Sequence, residues 1–355
     1  MSTICFIISN ISNCGGTERV TCLIANKLNE KGHNILILSL CGDSSSYYKL
    51  NENIKLFSIM KNQDSGKRNF FKIIRNIRNI VIENKIKNVV VVDSILSIYS
   101  VPALVFSKVN HICWEHFNFK NNLGLKYRDY GRILAAYCCD YIVTLTERDR
   151  YLWLSGLKKI GAKIIPISNP TTFENIIHEP LLSNKVIIAV GRLTAIKGFD
   201  MLITAWSKVC NQNKNWKLKI VGDGEQAKSL RELAESLGVI RSIDFVNATK
   251  EIDKFYKEAS FYCLSSRFEG LPMVLLEAQA YGLPIISFDC ETGPSEIVDK
   301  DYLVETNNVE LLAEKMNYCM NMDNSEYGKV SRKLKSNSAN YTIDKIIEKW
   351  LAIIK

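Results

Sequence analysis

RFEGLPMVLLEAQAYGLPII, residues 267–286, decides how the second half of the chain is read. Pro272 suits the first turn of a helix, where its missing N–H costs nothing. The apolar run behind it ends in a second Gly-Leu-Pro and then PIISFD, a β-branched strand segment. A helix that starts at Pro272 and feeds a strand is therefore expected. Glu269 then lies in the loop before the helix, and Glu277 about a turn and a half inside it. Helical side chains tilt toward the N-terminus, so Glu277 reaches back over that end. The free N–H groups and the helix dipole there make a seat for phosphate. The ligand that fits has an anionic middle and hydroxyl-rich ends: a diphosphate over the helix tip, with one carboxylate on each flanking sugar.

Outward from this stretch, short β-branched runs alternate with amphipathic ones, the sign of parallel sheets covered by helices. TICFIIS, NILILSL, NVVVVDS, NHICW and DYIVTLT read as strands of a first sheet. Gly16 to Glu30 reads as a helix, and Thr146 with Asp149 three residues on reads as a helix start. The pattern restarts with KVIIAVG, KLKIVGD, SIDFVN, ASFYCLS and PIISFD, with helices through FDMLITAWSKV and QAKSLRELAESLG. The expected fold is α/β, two tandem Rossmann-like parallel-sheet domains. The break falls in IPISNP, where Asn169-Pro170 signals a turn. Expected domains are 1–168, 169–340 and a terminal helix 341–355. That helix gathers Ile343, Ile346, Ile347, Trp350, Leu351 and Ile354 on one face, and is expected to cross back onto the first domain.

A chain of 355 residues has room for two cores. Its net charge of +9 is uneven, since residues 1–168 hold 23 Lys and Arg against 12 Asp and Glu. The most basic stretch, Lys61 to Asn88, forms a helical wheel with Phe70, Ile73, Ile74, Ile77, Ile80 and Val81 on one face. Lys72, Arg75 and Arg78 lie on the other. Two readings of the basic face of residues 67–78 stand: a solvated surface over a packed helix, or a face resting on an anionic membrane surface. The eleven cysteines are scattered without a C-x-x-C pair, which argues for a reducing cytosol and against zinc. The N-terminus lacks the basic region of a secretory signal. VVVVDSILSIYSVPALVFS, residues 89–107, reads as a buried strand and a helix, not a membrane span, because Asp93 at mid-membrane would cost roughly 2.5–3.5 kcal/mol.

The turn GRLTAIKG, 191–198, brings Arg192 and Lys197 to the sheet edge that carries Glu269, where they can neutralise a diphosphate. Together GRLTAIKG, the VGDGE of 221–225 and SRFEGLPMVLLEA resemble the nucleotide-sugar half of a retaining glycosyltransferase of family 4, which has the GT-B fold. The resemblance extends over nearly the whole chain and implies two domains facing across a cleft that holds the active site. It implies that Glu277 binds ribose hydroxyls, Glu269 donor-sugar hydroxyls, and Arg192 and Lys197 the diphosphate. Gly270, Leu271, Pro272 and Met273 would line the donor site.

In the first half, SNCGGTERV sets Gly15 and Gly16 at a strand-to-helix turn where backbone must approach a ligand closely. It is not the G-x-G-x-x-G of dinucleotide binding. The resemblance implies that this Gly-Gly faces donor sugar and acceptor. WEHFNF, 114–119, holds His116, one of four histidines, and resembles the family's active-site histidine, which contacts the donor near its reacting carbon. Glu115 and Asn118 are further candidates on the acceptor side. GGTERV with WEHFNF also resembles bacterial enzymes that build capsule, O-antigen and lipid-linked oligosaccharides, including N-acetylgalactosaminyl and galactosyl transferases.

The implied activity is transfer of a hexose or N-acetylhexosamine from a UDP-sugar to a glycan hydroxyl with retention. The acceptor implied is carried on undecaprenyl diphosphate, at the inner face of the plasma membrane. No cofactor and no metal are expected, because no D-x-D pair stands at a strand end and the cations and helix tip can stabilise a leaving diphosphate. Nucleic acid is not an expected partner. A glycosidase would need two carboxyls roughly 5–9.5 Å apart on one bond and has no use for Arg192 and Lys197. An NAD-type oxidoreductase lacks its glycine fingerprint here. A non-catalytic glycosyltransferase-like partner subunit is the remaining alternative, and it would not need the full residue set.

Overall fold

The computed structural model describes residues 1–61 and 68–355. The chain forms two compact units, Met1–Pro170 with Ile343–Lys355, and Thr171–Thr342.

The first unit runs β1 (Thr3–Ile8), α1 (Gly16–Glu30), β2 (Asn34–Cys41), β3 (Lys55–Met60), α2 (Phe70–Glu83), β4 (Asn88–Val92), α3 (Ser97–Leu104), β5 (Asn110–Trp114), α4 (Lys126–Cys138), β6 (Tyr141–Thr144), α5 (Glu147–Gly156) and β7 (Lys163–Pro166). Its seven strands are all parallel, in the order β3-β2-β1-β4-β5-β6-β7. Helices cover both faces of a parallel sheet, so the central strands bury every residue and read as unbroken apolar runs. NVVVV of β4 and NHICW of β5 do so. The order reverses between β1 and β4, and the loops after these strands meet at that switch point.

The expected apolar face of α2 packs inward. Ile73, Ile77 and Val81 join Leu36, Leu38, Val89 and Val91 in one core cluster. Lys72 and Arg75 are exposed. Arg78 donates from Nη1 to the carbonyls of Ala103 and Val105 at 3.2 Å, closing the C-terminus of α3. Lys67 lies outside the described residues. Among the described residues no helix is long and apolar enough to cross a membrane. Residues 89–107 form β4, a short turn and α3.

The second unit runs β8 (Val186–Val190), α6 (Phe199–Val209), β9 (Lys217–Val221), α7 (Ala227–Ser236), β10 (Ile243–Val246), α8 (Ile252–Glu258), β11 (Phe261–Leu264), α9 (Met273–Ala280), β12 (Ile285–Asp289), β13 (Leu303–Glu305), α10 (Val309–Met320) and α11 (Asn324–Ser338). Its parallel sheet is ordered β10-β9-β8-β11-β12-β13, with the switch between β8 and β11. The last helix, α12 (Ile343–Leu351), belongs to the first unit. Its Trp350 meets Trp114 edge-on at 4.8 Å, and Asn110 Nδ2 donates to the Ile353 carbonyl at 2.8 Å. All eleven cysteines are free.

Candidate active site

The loops after β8 and β11 leave the second sheet at its switch point, and hydrogen bonds join them into one body. Arg267 N donates to the Ile196 carbonyl at 2.8 Å, and Ser265 Oγ donates to the Lys197 carbonyl at 3.0 Å. The Arg267 guanidinium grips Asp200 with two bonds, at 2.9 and 2.7 Å. This fork holds the Asp200 carboxyl below the usual carboxylate range. Gly198 sits at φ +64°, and a Cβ there would lie 2.0 Å from the Ser265 carbonyl oxygen, so only glycine permits the approach. Gly222 of VGDGE likewise abuts the Gly191 carbonyl, where a Cβ would come within 1.9 Å.

On this frame Lys197 Nζ donates to Glu269 Oε1 at 2.7 Å, and Ser266 Oγ donates to the same oxygen at 2.6 Å. The sequence points Lys197 at a diphosphate; in the fold its ammonium is already engaged by Glu269. Arg192, in the same loop, is exposed, and no partner of its side chain is found among the described residues. Thr292 Oγ1 donates to the Glu269 carbonyl at 2.7 Å, and Gly293, at φ +98°, packs against Gly270 and Pro272. Leu271 and Pro272 are buried, while Gly270 and Met273 are partly exposed.

One boundary is corrected. Pro272 precedes the helix instead of filling its first turn, because its ψ of 112° keeps it extended and α9 begins at Met273. The first N–H groups of α9 still lack acceptors within the helix. Glu277 is buried, with Oε1 accepting from Thr172 Oγ1 at 2.9 Å and Oε2 from Tyr256 Oη at 2.8 Å. Tyr256 stacks on Tyr281 at 5.2 Å. Thr172, Tyr256 and Ser266 were not legible as parts of the site, because a hydroxyl carries no signal until the fold sets it beside a carboxylate.

In the first unit Gly15 is the N-cap of α1 and Gly16 its first residue, exposed. A Cβ on Gly15 would lie 2.3 Å from Glu18 Oε2, so the glycine makes room for that carboxylate. Burial raises the Glu18 carboxyl.

His116 follows β5 and is buried against Trp114, with ring centroids 4.5 Å apart. Among the described residues its Nε2 has no hydrogen-bond partner. Burial, with Arg128 adding to it, pushes its imidazole down to about 3, so the ring is neutral at physiological pH.

Glu115 and Asn118, the acceptor-side candidates, both turn into the interior of the first unit. Glu115 is fully buried. Its Oε1 accepts from the His116 and Phe117 N–H groups, both at 3.1 Å, and its Oε2 from Ser94 Oγ at 2.6 Å and Arg132 Nε at 3.0 Å. Asn118 Oδ1 accepts from the Asn121 N–H at 3.0 Å and so closes a turn. Arg132 also donates to the carbonyls of Phe119, Asn118 and Asn121, at 2.6 to 2.9 Å. Both residues therefore shape the loop that carries His116. Arg128 pairs with Asp93, whose carboxyl is pushed up to about 6 by burial and by Glu115 despite that partner. Asp149 accepts from the Phe119 N–H at 2.7 Å and is pushed up to about 7, chiefly by burial. Among the described residues no group of His, Cys, Asp and Glu is arranged to hold a metal ion.

Residues 173–340 match the family model described as glycosyl transferases group 1. An uncharacterized glycosyltransferase of Haemophilus influenzae is 37% identical over the full length of both chains. The chain belongs to this glycosyltransferase family. The amylovoran biosynthesis glycosyltransferase AmsD of Erwinia amylovora is 30% identical, again over the whole of both chains. A Campylobacter jejuni α-1,4-N-acetyl-D-galactosaminyltransferase, named for an acceptor glycan on diphosphoundecaprenol, is 26% identical over 100% of this chain and 98% of its own. Among solved structures, a TarM variant from S. aureus in complex with fondaparinux, α-GlcNAc-glycerol and UDP superimposes with a TM-score of 0.81 at 15% identity, over 100% of each chain. That likeness is one of fold, the GT-B arrangement of two Rossmann-like sheets. Relatives of the glycosyltransferase thus build polysaccharides and lipid-linked glycans.

Proposed function

We propose that the enzyme is a metal-independent, retaining glycosyltransferase of family 4. It moves a hexose or N-acetylhexosamine (galactose, N-acetylgalactosamine, glucose or N-acetylglucosamine) from a UDP-sugar to a hydroxyl of a lipid-linked glycan during surface polysaccharide or oligosaccharide synthesis. The carrying observation is the joined pair of loops in the second unit: Glu269, fixed by Lys197 and Ser266, and Glu277, fixed by Thr172 and Tyr256, flank the N-terminus of α9.

In this reading Glu277 takes the ribose hydroxyls, Glu269 the hydroxyls of the donor sugar, and the tip of α9 the diphosphate, lined by Gly270, Leu271, Pro272 and Met273. Lys197 chiefly orients Glu269, and the exposed Arg192 carries more of the diphosphate charge. The acceptor oxygen bonds to the anomeric carbon as the bond from that carbon to the β-phosphate oxygen breaks. The departing phosphate oxygen takes the acceptor proton, on the face it leaves. Neutral His116 serves the transfer through its Nε2, which has no partner among the described residues, and the Gly15-Gly16 turn lets sugar approach the backbone. The exposed Lys72 and Arg75 of α2 draw the enzyme to anionic lipid at the inner membrane face.

The test is a panel of nucleotide sugars with undecaprenyl-diphosphate-linked acceptors, with and without EDTA, read by nucleotide release and by the anomeric configuration of the product. Retention, a UDP donor and turnover in EDTA are expected. Inversion, or activity that EDTA abolishes, refutes the mechanism. Glu277→Ala is expected to weaken donor binding or abolish turnover, and unchanged donor kinetics would refute the ribose assignment.

A further inference from the structure

Helix α4 is built inside out. Its inward face carries Arg128, Gly131, Arg132, Ala135 and Ala136, the two guanidiniums being spent on Asp93 and Glu115. It lies so close to the turn after β4 that a Cβ on Gly131 would come within 2.3 Å of the Ser94 carbonyl oxygen. Its outward stripe is Tyr127, Tyr130, Ile133 and Tyr137, which are 50%, 61%, 40% and 51% exposed. Spacings of three and four residues keep these on one face. Leu123 and Leu125, also exposed, extend the stripe through the preceding turn.

Single exposed apolar side chains are ordinary, but a stripe of them outside a helix whose charges point inward marks a surface that meets something other than water. The chemistry of the rim selects the partner. Exposed Lys120 and Lys126 lie at the N-terminal end of the stripe. Exposed Lys158 and Lys159 lie at the other end, in a loop fastened to α4 by the Gly161 N–H donating to the Ala136 carbonyl at 2.8 Å. The acid on the stripe, Asp129, accepts from Asn122 Nδ2 at 2.7 Å and lies 3.7 Å from Arg132 Nη1. Tyrosines between lysines suit the headgroup zone of a bilayer, where the ring body sits among acyl chains, the hydroxyl stays wet and ammonium groups meet lipid phosphate.

We propose that the outer face of α4 docks the enzyme on a membrane bearing anionic lipid. This rests on the reading of a membrane-bound acceptor above and locates the contact: α4 supplies the inserting side chains, while the basic face of α2 supplies attraction at a distance.

The test is flotation of the full chain with phosphatidylglycerol–phosphatidylethanolamine vesicles and with phosphatidylcholine vesicles. The variants are Tyr127→Ser/Tyr130→Ser/Ile133→Ser and Lys72→Ser/Arg75→Ser, all at exposed positions. The wild type is expected to float with the anionic vesicles, less so in high salt. The triple α4 variant is expected to lose partitioning on the order of tenfold or more, since its inserting area is gone. Several outcomes overturn the proposal. If the wild type floats and only the α2 variant loses binding, docking belongs to α2 and the membrane reading survives without α4. If the wild type floats with neither vesicle, both membrane readings fall, while the nucleotide-sugar panel still decides the chemistry. If sedimentation shows a dimer that the triple variant abolishes, the face meets a second copy of the chain.

Discussion

Replacing Arg132 with Met tests whether the loop carrying His116 is held by a buried charge network. Met keeps much of the side-chain volume and removes every donor. Four hydrogen bonds go: one to Glu115 Oε2 and three to the carbonyls of Asn118, Phe119 and Asn121. Glu115 stays buried, with Ser94 and two N–H groups still on it and Arg128 at 3.7 Å. Removing one member of a buried ion pair costs about 3–5 kcal/mol, and the second cation puts Arg132→Met near the lower end. Glu115→Gln keeps the acceptor at Oε1 but turns an amide toward guanidinium donors, so it also destabilises. In the double variant no uncompensated carboxylate remains, and its cost is expected to fall short of the sum by about 1–3 kcal/mol. Urea unfolding followed through Trp114 and Trp153, both buried in the first unit, measures the cycle. A loss below about 1 kcal/mol for Arg132→Met, or single costs that add within about 0.5 kcal/mol, would refute the reasoning.

His116→Ala is expected to lower kcat far more than it lowers the unfolding midpoint. The wild-type pH–rate profile should show no inflection from this ring between pH 5 and 9, given its value of about 3; full activity in the variant would return His116 to a packing role. Asp149 is held at about 7, above its unfolded value near 3.9, so the folded state binds the extra proton and this carboxyl costs stability as pH rises through about 7. Asp149→Asn keeps the acceptor for the Phe119 N–H, and its stability relative to wild type is expected to be greatest above pH 7 and to vanish below about pH 4. A difference that is flat with pH, measured by denaturant titration, would refute the burial argument. The pH dependence of the wild type itself is expected to be shallow. Burial depresses His111 to about 4 and His116 to about 3, and that contribution is lost as pH falls through about 6.5 and below, opposing Asp149.

Much of the architecture was legible because backbone hydrogen bonding and burial impose periodicity. Gly16–Glu30 and Phe199–Val209 are helices with the bounds their patterns suggest, and the Thr146 hydroxyl does accept from the Asp149 N–H, at 3.0 Å. The central strands were equally plain, since strands buried on both faces are apolar throughout. The edge strands β3, β7 and β13 were not read, because KLFSIM, KIIP and LVE pair on one side only and carry no such run. Helix α4 is illegible for the opposite reason: with arginines inside and tyrosines outside, it inverts the usual amphipathic pattern.

The sequence by itself determined the α/β class, the two-sheet plan and the family, because local spacing and the GRLTAIKG and SRFEGLPMVLLEA motifs are written in consecutive residues. Tertiary structure alone decided what each charge does. Glu115 is spent on the interior, Lys197 is paired with Glu269, and Glu277 is clamped by Thr172, 105 residues away in the chain. A carboxylate or ammonium has no fixed role until folding sets its partners and its exposure to water, and those are properties of contacts between distant segments.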